Sequence, residues 1–280
     1  MSEQQTNPLG QASPYIDHLD SGLLFAIPRA QKRLEIGVDS QSLPFYGIDI
    51  WNAYEVSWLN QKGKPQVAVA EFQFPCTSPN LVESKSFKLY LNSYNQTRFD
   101  SKVMVEKQLK ADLGAACGVE IKVNLQPLQD IAEQSFHQLQ GEVIDGIDIE
   151  VNDYNYAPDN LRNACADEQL AEEKCSEILV SHLLKSNCLV TGQPDWASIQ
   201  IHYRGNKIDR AALLKYLISF RQHHEFHEQC VERIYMDLMK YCKPEYLIVY
   251  ARYTRRGGLD INPFRSSEPV EPENSRLVRQ

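Results

Sequence analysis

The sequence predicts an α+β protein built from antiparallel sheets, each with two helices packed on one face. Three observations predict it. Alternating apolar stretches flank pairs of amphipathic helical stretches. The order recurs: Val82 through Tyr94 aligns in apolar class with Ile208 through Phe220, a constant offset of 208 − 82 = 126 residues. The chain is also long and apolar enough to bury a core, with 280 residues, 42% hydrophobic and 24% charged. We therefore expect two modules, residues 1–135 with an N-terminal arm and residues 136–280 with a connector.

The elements follow in order. The first 40 or so residues, rich in Gly, Pro, Ser, Asp and Gln, read as an irregular arm. IWNAYEVSWLN from Ile50 alternates as a strand, NQKGKP is a turn, and QVAVAEFQF is a second strand. ESKSFKLYLNSYN spaces Phe87, Leu91 and Tyr94 as a helix would. DSKVMVEKQLKADLG puts Val105, Leu109 and Leu113 on one face, with Gly114 as its stop. GVEIKVNLQPL alternates Val119, Ile121, Val123 and Leu125, another strand. Residues from about 129 to 175 form an acidic connector with one extra strand.

In the second module, SEILVSHLL and CLVTG are strand candidates, and DWASIQIHYRG alternates Ala197, Ile199, Ile201 and Tyr203. DRAALLKYLISFR is a helix capped by Asp209. FHEQCVERIYMDLMKY is a helix with Val231, Ile234 and Leu238 inward, and EYLIVYARYTR is a strand. Each module leaves sheet edges to be covered, which predicts a homo-oligomer.

Charge narrows the function. Lys plus Arg number 29 against 37 Asp plus Glu, a net charge of −8. That argues against general nucleic-acid binding, which needs an excess of cations. No apolar run is long enough to span a membrane, and the N-terminus lacks the plan of a secretory signal. Seven cysteines without a CxxC pair fit neither a disulfide framework nor a structural zinc site, and point to a reducing cytoplasm.

Four segments could carry chemistry. In SNCLVTGQPDW, Cys188 and Asp195 lie at the two ends of a turn. A thiol beside a carboxyl group suits nucleophilic catalysis with proton transfer. A buried structural cysteine is the alternative. Cys230 and Cys242, in a helix, read as structural, and Cys76, Cys117, Cys165 and Cys175 have no chemical company in sequence.

In RQHHEFHEQC, His223, His224, Glu225, Phe226, His227 and Glu228 sit at a joint between helices. HHEFHE is not the HExxH pattern, so no metal is expected. An aromatic followed by His-Glu suits a flat heterocycle: the ring stacks on Phe226 and a carboxylate accepts N–H groups from its edge. Capping or a surface role is the alternative. In ESKSFKLY, Glu83 either serves the helix dipole or reads a ring edge, while Ser84 and Lys85 are solvated or hold an anion. In ARYTRRGGLDINPFRS, Arg252, Arg255, Arg256 and Arg265 surround Gly257 and Gly258, which suggests a phosphate-bearing ligand. Neither GxGxxG after a strand nor GxxxxGK[ST] occurs, which excludes Rossmann and P-loop binding.

Taken in order, ESKSFKLYLNSYN, NCLVTGQPDW, FHEQC and YTRRGGLDINPFR resemble the NADPH-dependent 7-cyano-7-deazaguanine reductases, the nitrile reductases of queuosine biosynthesis, in their long two-module form. The resemblance runs from about Gly22 to Gln280. It implies two tandem tunnelling-fold modules and reduction of a nitrile to a primary amine with two NADPH, in the synthesis of a modified tRNA base. It implies that Cys188 attacks the nitrile carbon to give a covalent thioimide and that Asp195 moves protons. By the same resemblance Val82, Glu83, Ser84, Phe226, His227 and Glu228 bind the deazaguanine, and Ser84, Lys85, Arg256 and Gly257 hold NADPH.

The second module has Asp209-Arg210-Ala211 where the Glu-Ser-Lys motif would recur, and the first has no counterpart of Cys188. Each active site is therefore expected to draw on both halves of the chain. The expected partners are the small nitrile substrate and a second copy in a homodimer, with no nucleic acid, no membrane and no metal. A cyclohydrolase-like enzyme of the same fold, or a non-catalytic heterocycle-binding protein, are the alternatives.

Overall fold

The protein is described by a computed structural model covering residues 16–131, 136–162, 164–165 and 174–280. In chain order the elements are β1 (Ala26–Pro28), α1 (Ala30–Glu35), β2 (Tyr46–Leu59), β3 (Pro65–Pro75), β4 (Asn80–Val82), α2 (Ser84–Asn92), α3 (Lys102–Cys117) and β5 (Lys122–Pro127). Then come β6 (Glu142–Val143), β7 (Lys174–Ser181), β8 (Lys185–Asn187), β9 (Pro194–Asn206), α4 (Arg210–Ile218), α5 (His227–Tyr241), β10 (Tyr246–Tyr253) and β11 (Leu259–Ser266). The fold is mixed α+β, and its long strand pairings are antiparallel.

Described residues fall into two compact units: those within Met1–Gln31, Ile50–Gln134 and Arg255–Asp260, and those within Lys32–Asp49, Ser135–Thr254 and Ile261–Gln280. In the first unit, β3 lies between β2 and β5. The NQKGKP turn forms where expected, with the Gly63 N–H donating to the Asn60 carbonyl. Trp51, Phe72 and Phe74 meet Phe87 of α2 at ring-centroid distances of 5.4, 5.0 and 6.3 Å. Val105, Leu109 and Leu113 of α3 are buried with them. β1 pairs with β4, and the Glu83 N–H donates to the Phe25 carbonyl, which fixes the start of α2.

In the second unit the strand order is β11-β10-β9-β7-β6, with β8 also on β9. Val231, Ile234 and Leu238 of α5 are buried, as are Leu247, Val249 and Ala251 of β10. A four-charge network is also buried here. Arg33 and Arg265 both bond Glu232, Arg265 bonds Asp49, and both guanidiniums lie over the Phe45 ring. Opposite charges in pairs offset the cost of removing each from water.

Several expectations need correction. Helix α3 does not stop at Gly114 but runs to Cys117, where Gly118, at φ 75°, caps it. Burial of Leu113 and Cys117 on the core face outweighs the modest cost of an interior glycine. CLVTG is not a strand. The strand is Lys185–Asn187 just before it, and Leu189 and Val190 lie in the following turn, 40% and 39% exposed. The segment from Leu259, not expected as a strand, is β11, buried along its whole length despite Pro263. The N-terminal arm holds β1 and α1, although residues 1–15 lie outside the described residues. Among the described connector residues the strand is β6, which pairs with β7 in parallel.

Candidate active site

The Cys188 turn is set by the β8–β9 hairpin. Ser186 pairs with Asp195 and Asn187 with Pro194. The Cys188 N–H then extends the ladder by donating to the Gln193 carbonyl at 2.8 Å, and the Gly192 N–H closes the turn onto the Cys188 carbonyl at 3.0 Å. Directly paired residues share a sheet face, and residues two apart on a strand do as well. Ser186, Cys188 and Asp195 therefore share a face across the hairpin. Cys188 is 8% exposed and Asp195 6%.

Helix α5 begins beside this hairpin. The His227 Nε2 is 3.6 Å from the Asp195 Oδ1. The His227 ring also meets the Tyr253 ring edge-on, with centroids 4.1 Å apart. Tyr253 is fully buried. Its hydroxyl is held far above its usual pKa by burial first, then by the neighbouring Cys230 thiol and Asp195 carboxylate. Burial likewise pushes the Cys230 thiol up to about 12, so it stays protonated and is a poor nucleophile. Phe226 is the helix cap residue but gives no side-chain cap bond. Glu228, in the first turn, is buried.

The joint before α5 is tied to the hairpin. The Asn187 N–H donates to the His223 carbonyl at 2.8 Å, and the Glu225 N–H donates to the Asn187 carbonyl at 3.2 Å. Glu225 takes a two-pronged bond from Arg233, Nη2 to Oε1 at 2.7 Å and Nε to Oε2 at 2.9 Å, and its Oε2 lies 3.0 Å from the His223 Nε2. Burial raises the Glu225 carboxyl, but Arg233 and His223 overcome it and hold the group below the usual range.

In the first unit, Val82 closes β4 and Glu83 caps α2. The Glu83 carboxylate accepts the N–H groups of Lys85 at 2.8 Å and Ser86 at 2.7 Å, and the residue is 3% exposed. The Ser84 hydroxyl also donates to Oε1, at 3.4 Å, so the room for a further donor is on Oε2. Ser84 and Lys85 are half-buried at the same helix start. Of the four arginines near Gly257, two point elsewhere. Arg265 belongs to the buried network, and Arg252 is buried among Tyr250, Asn274 and Gln280. Arg255 is exposed, with its guanidinium over the Tyr54 ring at 4.1 Å. Arg256 is half-buried and Gly257 exposed at φ 61°, with no atom within 4 Å of where a Cβ would sit. At Gly258 the φ of 78° favours glycine, while the Glu55 carboxylate that a Cβ would meet is the movable end of an exposed side chain.

Other cysteines have more company than sequence suggested. The Cys175 Sγ lies 3.5 Å from the Tyr203 hydroxyl, and Cys165 accepts a hydrogen bond from Cys242 that lowers the Cys165 pKa. Sequence reasoning also missed Arg233, Tyr253 and Gln229. Gln229 is 4% exposed, and neither end of its amide finds a partner among the described residues. The signal available for Gln229 was a polar side chain among buried residues in the first turn of α5.

Comparison with known proteins decides the family. The chain is 56% identical to the NADPH-dependent 7-cyano-7-deazaguanine reductase of Cupriavidus necator over 282 aligned residues, covering all of both chains. The chain belongs to that family. Identity to the reductase of the same name from Cupriavidus taiwanensis is 57%, and to that from Ralstonia nicotianae 55%, again over 100% of each chain. Residues 15–125 match the family described as nitrile reductase, 7-cyano-7-deazaguanine-reductase N-term, and residues 194–271 match the QueF-like protein family.

Proposed function

We propose that this chain reduces the nitrile of 7-cyano-7-deazaguanine to a primary amine with NADPH, in queuosine biosynthesis. The observation that carries it is identity over the whole length to reductases of that name, together with the Cys188–Asp195 hairpin lying against the His227 helix start.

A nitrile is a weak electrophile, and thiolate addition divides its reduction into easier steps. In our reading the Cys188 thiol gives its proton to the Asp195 carboxylate as its sulfur bonds to the nitrile carbon, one π bond of the C≡N becomes a lone pair on nitrogen, and that nitrogen takes the proton back from Asp195. The product is a thioimide. Phe226 stacks on the bicyclic ring, and Glu83 and Glu228, with His227, take its N–H edge. The low exposure of Glu83 supports this role, because a buried carboxylate binds N–H donors more strongly than a solvated one.

Two cations and an open glycine, Lys85, Arg256 and Gly257, together with Ser84 at the α2 start, fit a phosphate-bearing dinucleotide. These residues would hold NADPH, which supplies the two hydrides that take the bound carbon from thioimide to amine. Asp195 and His227 would move protons to the nitrogen as sulfur leaves.

We further propose two tandem tunnelling-fold modules, residues 1–135 and 136–280, acting as a homodimer in the cytoplasm on a small-molecule substrate without binding nucleic acid. The matching starts of α2 and α4 support the tandem arrangement, and size-exclusion chromatography with light scattering tests the dimer. Among the described residues no helix is long and apolar enough to cross a membrane.

The test of activity is NADPH oxidation by the purified chain. We expect absorbance loss only when the nitrile is present, two NADPH consumed per amine formed, and no loss with the corresponding carboxylic acid. NADPH consumption that ignores the nitrile would overturn the reading.

A further inference from the structure

We propose that Glu225 is a positioning residue: its two-pronged pair with Arg233 fixes the 223–226 segment, which aligns the Cys188 turn on one side and the Phe226, His227 and Glu228 helix start on the other. The inference rests on Cys188 being the nucleophile.

Three sets of bonds converge on this short segment. On the hairpin side, Asn187 makes two backbone bonds to it, to His223 and from Glu225, and bridges His224 in parallel register. Asn187 immediately precedes Cys188, so the nucleophile's entry into its turn is set by residues 223–225. The Asn187 side chain is held as well, accepting from the Lys185 Nζ at 2.5 Å, and that ammonium also donates to the Arg221 carbonyl at 2.7 Å. On the helix side, the next residues in sequence are Phe226, His227 and Glu228, so any shift of Glu225 moves the heterocycle-binding end directly.

The third set holds the segment to the rigid body of α5. Arg233 sits in the second turn of that helix, and its planar fork meets both oxygens of Glu225. The guanidinium is backed by the Tyr156 ring at 5.2 Å and by Glu35 at 3.7 Å, while the Tyr156 hydroxyl is anchored to Asp237 at 2.7 Å. Glu225 is 2% exposed and its oxygens are occupied by Arg233 and His223, so it positions rather than touches substrate. A two-pronged ion pair fixes orientation as well as distance, which one hydrogen bond does not. A misplacement near 1 Å at a reacting centre costs on the order of 100-fold in rate.

The experiment compares wild type, Glu225→Gln and Arg233→Lys, each shown folded by its melting curve. Two readouts are taken well below the melting temperature: the rate of covalent adduct formation on Cys188 with the nitrile alone, and the kcat and KM of NADPH-dependent reduction. We expect Glu225→Gln to slow adduct formation about 100-fold and raise the nitrile KM about tenfold. Arg233→Lys, which keeps the charge but loses the fork, should fall between it and wild type. A folded Glu225→Gln protein that forms adduct within twofold of the wild-type rate, whatever its melting temperature, overturns the inference alone. Should Glu225→Gln not fold, a wild-type adduct rate in Arg233→Lys overturns it equally. Absence of adduct in wild type overturns both the inference and the nucleophile assignment beneath it.

Discussion

Helices α2 and α4 start alike and differ in what surrounds their caps. Both begin one residue after an acidic cap, Glu83 and Asp209, whose carboxylates accept the N–H groups two and three residues on. Both are followed by a serine, Ser93 or Ser219, whose hydroxyl donates back to the carbonyl three residues earlier at 2.6 Å. The geometry repeats at the 126-residue offset even though few letters do. The two caps differ by one methylene and by their next neighbours in the chain. Asp209 is the short side chain that ordinarily caps a helix. The next residue, Arg210, turns to Glu177 and Glu142. Glu83 is a longer acid than a cap requires, is nearly fully buried, and is followed by half-buried Ser84 and Lys85. A cap chosen against helix preference in one copy, and with it in the other, is the difference our proposed binding role for Glu83 calls for.

The comparison breaks most openly in paired deletions. Glu83→Ala and Asp209→Ala should each lower stability by about 1 kcal/mol, the usual cost of a lost cap. Only Glu83→Ala should also lower kcat/KM, by about 100-fold or more, because charged hydrogen bonds to the ring edge are worth about 1.5–3 kcal/mol each. Asp209→Ala should stay within about twofold of wild type. Steady-state kinetics beside denaturant melts reads both quantities, and an equal loss of activity in the two variants would erase the distinction. A smaller change sharpens it. Glu83→Asp keeps a capping carboxylate but withdraws it by one methylene, so stability should hold while kcat/KM drops about tenfold.

Much of this was legible in sequence, for identifiable reasons. Among the described residues, strands β2, β3, β9 and β10 and the four long helices announce themselves by period, because one face of each is buried. The Asp209 cap was legible because Asp before an apolar helical run has one common use. The Cys188 turn was found by its Gly-Pro punctuation, but its residues 188–192 read as a strand because Leu189 and Val190 are apolar yet exposed. Strand β11 stayed hidden behind Pro263 and its two charged residues, Asp260 and Arg265. Its Arg265 looked like a phosphate ligand and is instead buried against Glu232 and Asp49. Partners of that kind lie 33 and 216 residues away, and no local pattern reports them. The Glu225–Arg233 pair was out of reach for a related reason: Glu225 lies before the start of α5, where helical spacing does not say which way its side chain turns.

The central claim is a carbon–sulfur bond at Cys188, and intact-mass analysis after incubation with 7-cyano-7-deazaguanine, without NADPH, tests it most directly. We predict a gain equal to the whole nitrile, carried after digestion by the peptide containing Cys188 and absent from Cys188→Ala. No gain in mass, or a gain that survives in Cys188→Ala, would contradict it.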